Sequence, residues 1–281
     1  MSRAGWPGPS SSRCSAVPES RTRPDVSAAL ETYYTRYYRD TLGIPGWRGL
    51  VDTRLDDEAY ERQRLTALER AVGGSIKGTR LLNIGCGTGG FNALAEEAGA
   101  EVWGVDDSAD AVAITRARMR HGERALRSMA EALPFPDASF DVVYCYAAIE
   151  HVEDAAQSLR EMVRVMRPDA RLYLHTNDRR SCFEGHYKVF WVPGLPAVLG
   201  RAYLAARGRP TAYLATLRPL SRRQCLRLLE EAGGHVLKQV DLGLGRPVGG
   251  PLWPLVRAYY RLAGVTPYIE FVAARREARR R

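Results

Sequence analysis

Lysine is almost absent from this chain: Lys77, Lys188 and Lys238 are the only three among 41 basic residues, and the rest are arginine. The formal charge of +9 is unevenly spread, with 16 basic against 5 acidic residues over 201–281. A basic third of this kind can mark a nucleic-acid or anionic-membrane footprint. Its near-exclusive use of arginine reads more simply as coding bias, so nucleic acid is a disfavoured but open partner. Cysteine is equally thin. Cys14, Cys86, Cys145, Cys182 and Cys225 lie far apart, with no C-x-x-C pair and no histidine at zinc spacing. This excludes a disulfide scaffold and a local zinc motif, and implies free thiols in a reducing, cytoplasmic setting with no metal expected. Long apolar runs are missing too. The best stretch, 189–206, is broken by Pro193, Gly194, Pro196, Gly200 and Arg201, short of the roughly 18 apolar residues that a span requires. No membrane span is expected, and no internal repeat is present.

What remains is a composition of 45% hydrophobic and 26% charged residues over 281 positions, enough for one large globular domain with appendages. Residues 1–25, rich in Ser, Pro and Gly, read as a disordered tail. Leu30, Tyr33, Tyr34, Tyr37 and Tyr38 fall at i, i+3, i+4, i+7 and i+8, one face of an amphipathic helix. A second helix is expected from an N-cap at Asp56 or Asp57 to a stop at Gly73-Gly74. These form an N-terminal helical cap over 26–75.

From residue 76 onward short apolar runs alternate with helical segments. Strands are expected at 81–84, 101–105, 125–129, 142–146 and 171–175, with helices at 91–98, 109–120 and 155–166 between them. A helix at 221–232, a strand at 235–241, a helix near 255–262 and a strand at 268–273 complete the order. Repeated βα units predict an α/β fold, a doubly wound and mostly parallel seven-stranded sheet. Residues 178–220 and 243–267 are less regular and are expected to form a lid and insertion on the acceptor side.

The first βα turn reads Leu81-Leu82-Asn83-Ile84-Gly85-Cys86-Gly87-Thr88-Gly89-Gly90-Phe91, and Asp106 ends the second strand. Glycines allow a ligand to approach the backbone, and an acid at the tip of strand two accepts the hydroxyls of a ribose. Gly85, Gly87 and Gly90 satisfy the dinucleotide G-x-G-x-x-G pattern, whereas Gly85, Gly87 and Gly89 satisfy G-x-G-x-G. The loop alone leaves both open.

Further motifs follow at Ala130-Glu131-Ala132-Leu133-Pro134-Phe135-Pro136-Asp137-Ala138-Ser139-Phe140-Asp141-Val142-Val143, at Ile149-Glu150-His151-Val152 and at Arg164-Val165-Met166-Arg167-Pro168-Asp169-Ala170. With the glycine loop, they closely resemble the class I S-adenosylmethionine-dependent methyltransferases, in the branch of quinone-biosynthesis and natural-product small-molecule enzymes. The resemblance covers about 79–177. It implies a Rossmann-like fold, S-adenosyl-L-methionine as cofactor with S-adenosyl-L-homocysteine as product, and transfer of a methyl group to a moderately apolar small molecule. It places Asn83, Gly85, Gly87 and Gly89 around the methionine and ribose portions, Asp106 and Asp107 at the ribose, Met129 and Ala130 beside the adenine, and Tyr146 along the methionine. Two departures stand out. Met129 occupies a position where many relatives carry Asp, and Pro168-Asp169-Ala170 replaces Pro-Gly-Gly, where an aspartate still tolerates a left-handed turn.

His151, His175 and His186 are the candidates for moving a proton from an oxygen or carbon acceptor; His151 equally suits bracing the helix that follows it. Tyr33, Tyr34, Tyr37, Tyr187 and Trp191 are candidates for a lid, because electron-rich rings suit a sulfonium cation; core packing explains their spacing as well. An RNA methyltransferase, a non-catalytic binding protein and an NAD-dependent oxidoreductase are the rival readings. The oligomeric state is not legible.

Overall fold

A computed structural model describes residues 26–240 and 253–276. The expected tail at 1–25, the last residue of the strand expected at 235–241 and the first part of the 243–267 segment lie outside the described residues. Two helices, α1 (Val26–Thr35) and α2 (Trp47–Leu55), precede α3 (Glu58–Val72). The tyrosine-rich helix continues past α1 as a π-helical segment, Arg36–Thr41. Then follow β1 (Arg80–Ile84), α4 (Gly90–Glu97), β2 (Glu101–Asp106), α5 (Ala109–Arg118), β3 (Ala125–Arg127), β4 (Phe140–Tyr146), α6 (Ala155–Val165) and β5 (Met166–Asn177). A short hairpin, β6 (Phe183–Glu184) with β7 (Val189–Phe190), leads to α7 (Ala197–Ala206), α8 (Arg222–Glu231), β8 (Gly234–Gln239), α9 (Trp253–Ala263) and β9 (Tyr268–Arg275).

The seven-stranded sheet runs β3-β2-β1-β4-β5-β9-β8, and only β9 is antiparallel to its neighbours. Period-two alternation sends Leu82, Ile84, Val143, Cys145, Leu172 and Leu174 to one face, against Leu159 and Met162 of α6 and Cys225 and Leu229 of α8. Leu81, Val142, Tyr144 and Tyr173 face the other way, against Leu65 and Leu68 of α3, Phe91 and Leu94 of α4 and Val112 of α5. Burial on both faces is what a parallel sheet requires. The chain winds outward from β1 through β2 to β3 and then returns to place β4 on the other side of β1. That reversal opens a crevice at the carboxyl ends of β1 and β4, the general ligand position of open α/β sheets.

Local chemistry fixes the ends of the outer helices. Asp154 caps α6 by accepting from the Gln157 N–H at 2.9 Å, and Ser221 with Gln224 forms a reciprocal capping box on α8. Asp57 sits at the N-cap of α3, but its carboxylate caps nothing; both oxygens accept from the Arg118 guanidinium of α5, at 2.8 and 2.9 Å. In place of the turn expected at Pro168-Asp169-Ala170, these residues form a bulged start of β5, where the pairing with β4 jumps from Phe140–Met166 to Val142–Arg171. None of the three has a positive φ, because the extra residues are taken up as a bulge in extended backbone and no left-handed turn is needed.

Candidate functional site

A cavity of about 860 Å³ opens over the carboxyl ends of β1, β2 and β4. Gly85 and Gly87 floor it, with Asp106 and Asp107 at the tip of β2, Ser128, Met129 and Ala130 beyond β3, and Ala147 and Ala148 after β4. Asp106 is the electrostatic centre of this end. Its two oxygens accept from the N–H groups of Gly87 at 2.9 Å and Ser108 at 3.0 Å. Burial pushes its carboxyl above the ordinary value, while those two N–H groups pull it back. The loop is built for close approach. A side chain at Gly85, whose φ is +70°, would run into Ala148 Cβ, and one at Gly89, with φ +79°, would meet Thr115 at 2.8 Å. Gly89 itself is the left-handed N-cap of α4 and stands behind the wall rather than in it.

The opposite wall is aromatic. Tyr33, Tyr34 and Tyr37 all line the cavity, joined by Tyr213 from the segment after α7. Tyr34 and Thr88 share a hydrogen bond of 2.8 Å, and Tyr37 and Tyr213 one of 3.1 Å. Burial raises the pKa of Tyr33, with the nearby Asp106 charge adding to it, and burial beside Tyr213 does the same for Tyr37. These phenols are therefore neutral in the working pH range.

His151 is the one of the three candidate histidines that lines the cavity. Its Nε2 lies 3.2 Å from Nε2 of His186, whose Nδ1 is 2.8 Å from Glu184 Oε1. Burial and the neighbouring His186 push the His151 pKa down to about 4, so its ring is neutral. Glu184 is held below the ordinary value: burial opposes ionisation, but the His186 contact and the N–H of Tyr187 outweigh it. His186 thus stands behind His151, outside the wall.

The other expected positions lie elsewhere. His175 is buried on the opposite face of the sheet, 2.8 Å from Glu270 and stacked on Tyr146 at 4.2 Å. Tyr146 points the same way, under the Arg64 guanidinium at 4.1 Å, so it does not run along the cavity. Asn83 donates to Asn92 of α4 at 2.6 Å, Tyr187 is fully buried with its hydroxyl accepting from the Leu214 N–H, and Trp191 packs edge-on to Tyr203. None of these lines the cavity. The acceptor-side segment 178–220 reaches it through Tyr213, Ala215, Thr216 and Arg218, while the described part of 243–267 does not. Arg54 of α2, Tyr213 and Arg218 are cavity residues that sequence reasoning missed. Ala147 is another; it holds a φ of +52°, with its N–H donating to the His175 carbonyl at 2.8 Å.

Residues 82–174 match the family model described as a methyltransferase domain. Over that stretch the chain is similar to methyltransferase domains. Methyltransferase GfsG of Streptomyces halstedii is 34% identical over 125 residues, 42% of this chain and 41% of that one. The demethylmenaquinone methyltransferase of Listeria welshimeri is 38% identical over 103 residues, 34% of this chain and 44% of its own. In both, the aligned stretch spans less than half of the relative. Among solved structures, geranyl diphosphate C-methyltransferase from Streptomyces coelicolor shares the fold with a TM-score of 0.54 at 18% identity, covering 93% of this chain and all of that one. The matched stretch 82–174 supplies the glycine loop, Asp106 and His151; Tyr33, Tyr34, Tyr37 and Tyr213 of the cavity wall come from outside it.

Proposed function

We propose that the chain transfers a methyl group from S-adenosyl-L-methionine to a moderately apolar small molecule. The observation that carries this reading is the pairing, in one cavity, of a half-buried Asp106 carboxylate beside a glycine floor with a wall of neutral tyrosines. The residues fit the cofactor. Asp106 and Asp107 would take the ribose hydroxyls, Gly85 and Gly87 the backbone-close methionine portion, and Met129 and Ala130 the adenine. Met129, half exposed, offers an apolar flank where an acid would offer a hydrogen bond. When bound, the sulfonium supplies an activated methyl carbon, and the protein's share is alignment and exclusion of water. Tyr33, Tyr37 and Tyr213 enclose the acceptor end, and His151 is the neutral base within reach of it. An open cavity of about 860 Å³ walled on one side by tyrosines suits a small molecule better than a polynucleotide.

Among the described residues no helix is long and apolar enough to cross a membrane, and Cys86, Cys145, Cys182 and Cys225 are buried free thiols, which suits the cytoplasm. Thermal unfolding with S-adenosyl-L-homocysteine or NADH tests the cofactor assignment. The reading expects the first to raise Tm and the second to leave it unchanged; the reverse would assign the loop to a dinucleotide.

A further inference from the structure

We propose that Glu150, His151 and His186 form a binding site for one divalent first-row transition-metal ion of the zinc class, at the acceptor end of the cavity. The sequence hides this site because no local metal spacing exists; the β6–β7 hairpin delivers His186 to the Glu150-His151 pair 35 residues earlier. One donor atom from each residue lies within 4.8 Å of the other two. The two imidazole nitrogens face one another at 3.2 Å. Ligand atoms about 2.0–2.1 Å from a tetrahedral ion stand roughly 3.3 Å apart, so this pair is already set to share one.

Two independent features support the histidine geometry. Glu150 is 1% exposed, and its Oε1 has no hydrogen-bond partner, while Oε2 accepts from the Thr176 hydroxyl at 2.8 Å. A carboxylate oxygen buried without a partner is costly, and a cation is the partner that best offsets that cost. Behind the site, Glu184 at 2.8 Å from His186 Nδ1 holds the proton on that nitrogen and leaves the Nε2 lone pair facing inward, the carboxylate–histidine arrangement that orients metal ligands. Two imidazoles and one carboxylate suit zinc, iron, cobalt or nickel better than magnesium or calcium, which favour all-oxygen sets.

Three protein ligands leave a coordination position open, and His151 places it on the cavity. If methyl transfer is the activity, an acceptor hydroxyl coordinated there would be acidified for attack, the ion then taking the place of His151 as the activating group; ion binding itself does not rest on that reading. The test uses the full chain, stripped with chelator and titrated with Co²⁺ by visible absorption, then with Zn²⁺ by calorimetry. One ion per chain with the intense bands of low-coordinate Co²⁺ is expected. His186→Ala and Glu150→Gln should each weaken binding more than tenfold, and Glu184→Gln by about 10–100-fold. S-adenosyl-L-homocysteine binding, measured on the same samples, should be unchanged; this verifies that the variants fold and separates failure of the ion site from failure of the cofactor assignment. Absence of micromolar uptake by the unaltered chain would overturn the proposal. So would uptake that persists in both His186→Ala and Glu150→Gln, since the ion would then sit on an exposed group such as His121.

Discussion

Asp106 carries more of the functional reading than any other side chain, and its place beside the glycine loop was legible in the sequence because it depends on one spacing, from that loop to the tip of the next strand. Removing it as Asp106→Ala should weaken S-adenosyl-L-homocysteine binding by about 1.5–3 kcal/mol, the worth of hydrogen bonds to a charged acceptor, or roughly tenfold to a hundredfold in Kd. Calorimetry reads this directly. The pH dependence follows from the raised pKa of the same group. Ribose hydroxyls favour the carboxylate, so affinity should fall as pH drops through that raised value, beginning above the ordinary carboxylate range, and Asp106→Asn should flatten the profile. Tyr146 and His175 were misread for a simple physical reason. Both share the strand parity of Tyr144 and Tyr173, and period two sends that face toward α3 and Arg64 rather than toward the cavity.

At the level of elements, the βα units were readable because each strand is a short apolar run and each helix has a marked start and stop. The elements that shape the acceptor end were not. β6 and β7 are two residues each, too short to show alternation. Helix α7 leaves Val198 and Leu199 exposed, so its apolar residues mark no buried stripe, and α2 starts at a left-handed Gly46 without a side-chain cap. A bridge between the π-helical segment after α1 and this region is the Tyr37–Tyr213 hydrogen bond of 3.1 Å. Tyr37→Phe should cost about 1 kcal/mol of acceptor binding, roughly fivefold in KM, with the cofactor Kd unchanged. Equal loss of both affinities would place the pair in the cofactor site instead. Asp57 ties α3 to α5 through Arg118, with side chains 8% and 16% exposed. Asp57→Ala leaves a largely covered guanidinium without its carboxylate and should lower unfolding stability by about 2 kcal/mol, read from the denaturation midpoint at constant m-value.

For the molecule as a whole, the sheet order and the crevice at the β1–β4 reversal follow from the βα alternation together with short right-handed connections. The fold alone does not choose a reaction; the choice comes from what stands around the crevice. The glycine floor and Asp106 belong to the stretch 82–174 that is similar to methyltransferase domains, whereas the tyrosine wall depends on long-range packing of residues near 33–37 against 213. The sequence told of abundant tyrosine but not of its convergence. The basic excess of residues 201–281 contributes Arg218 to the cavity rim and otherwise leaves the small-molecule reading untouched. The most direct test is to incubate the purified chain with methyl-labelled S-adenosylmethionine and host-cell extract, then partition the label into organic-soluble, RNA and protein fractions. Enzyme-dependent label in the organic fraction, lost in Asp106→Ala, is the predicted result; label confined to RNA or protein would contradict a small-molecule acceptor.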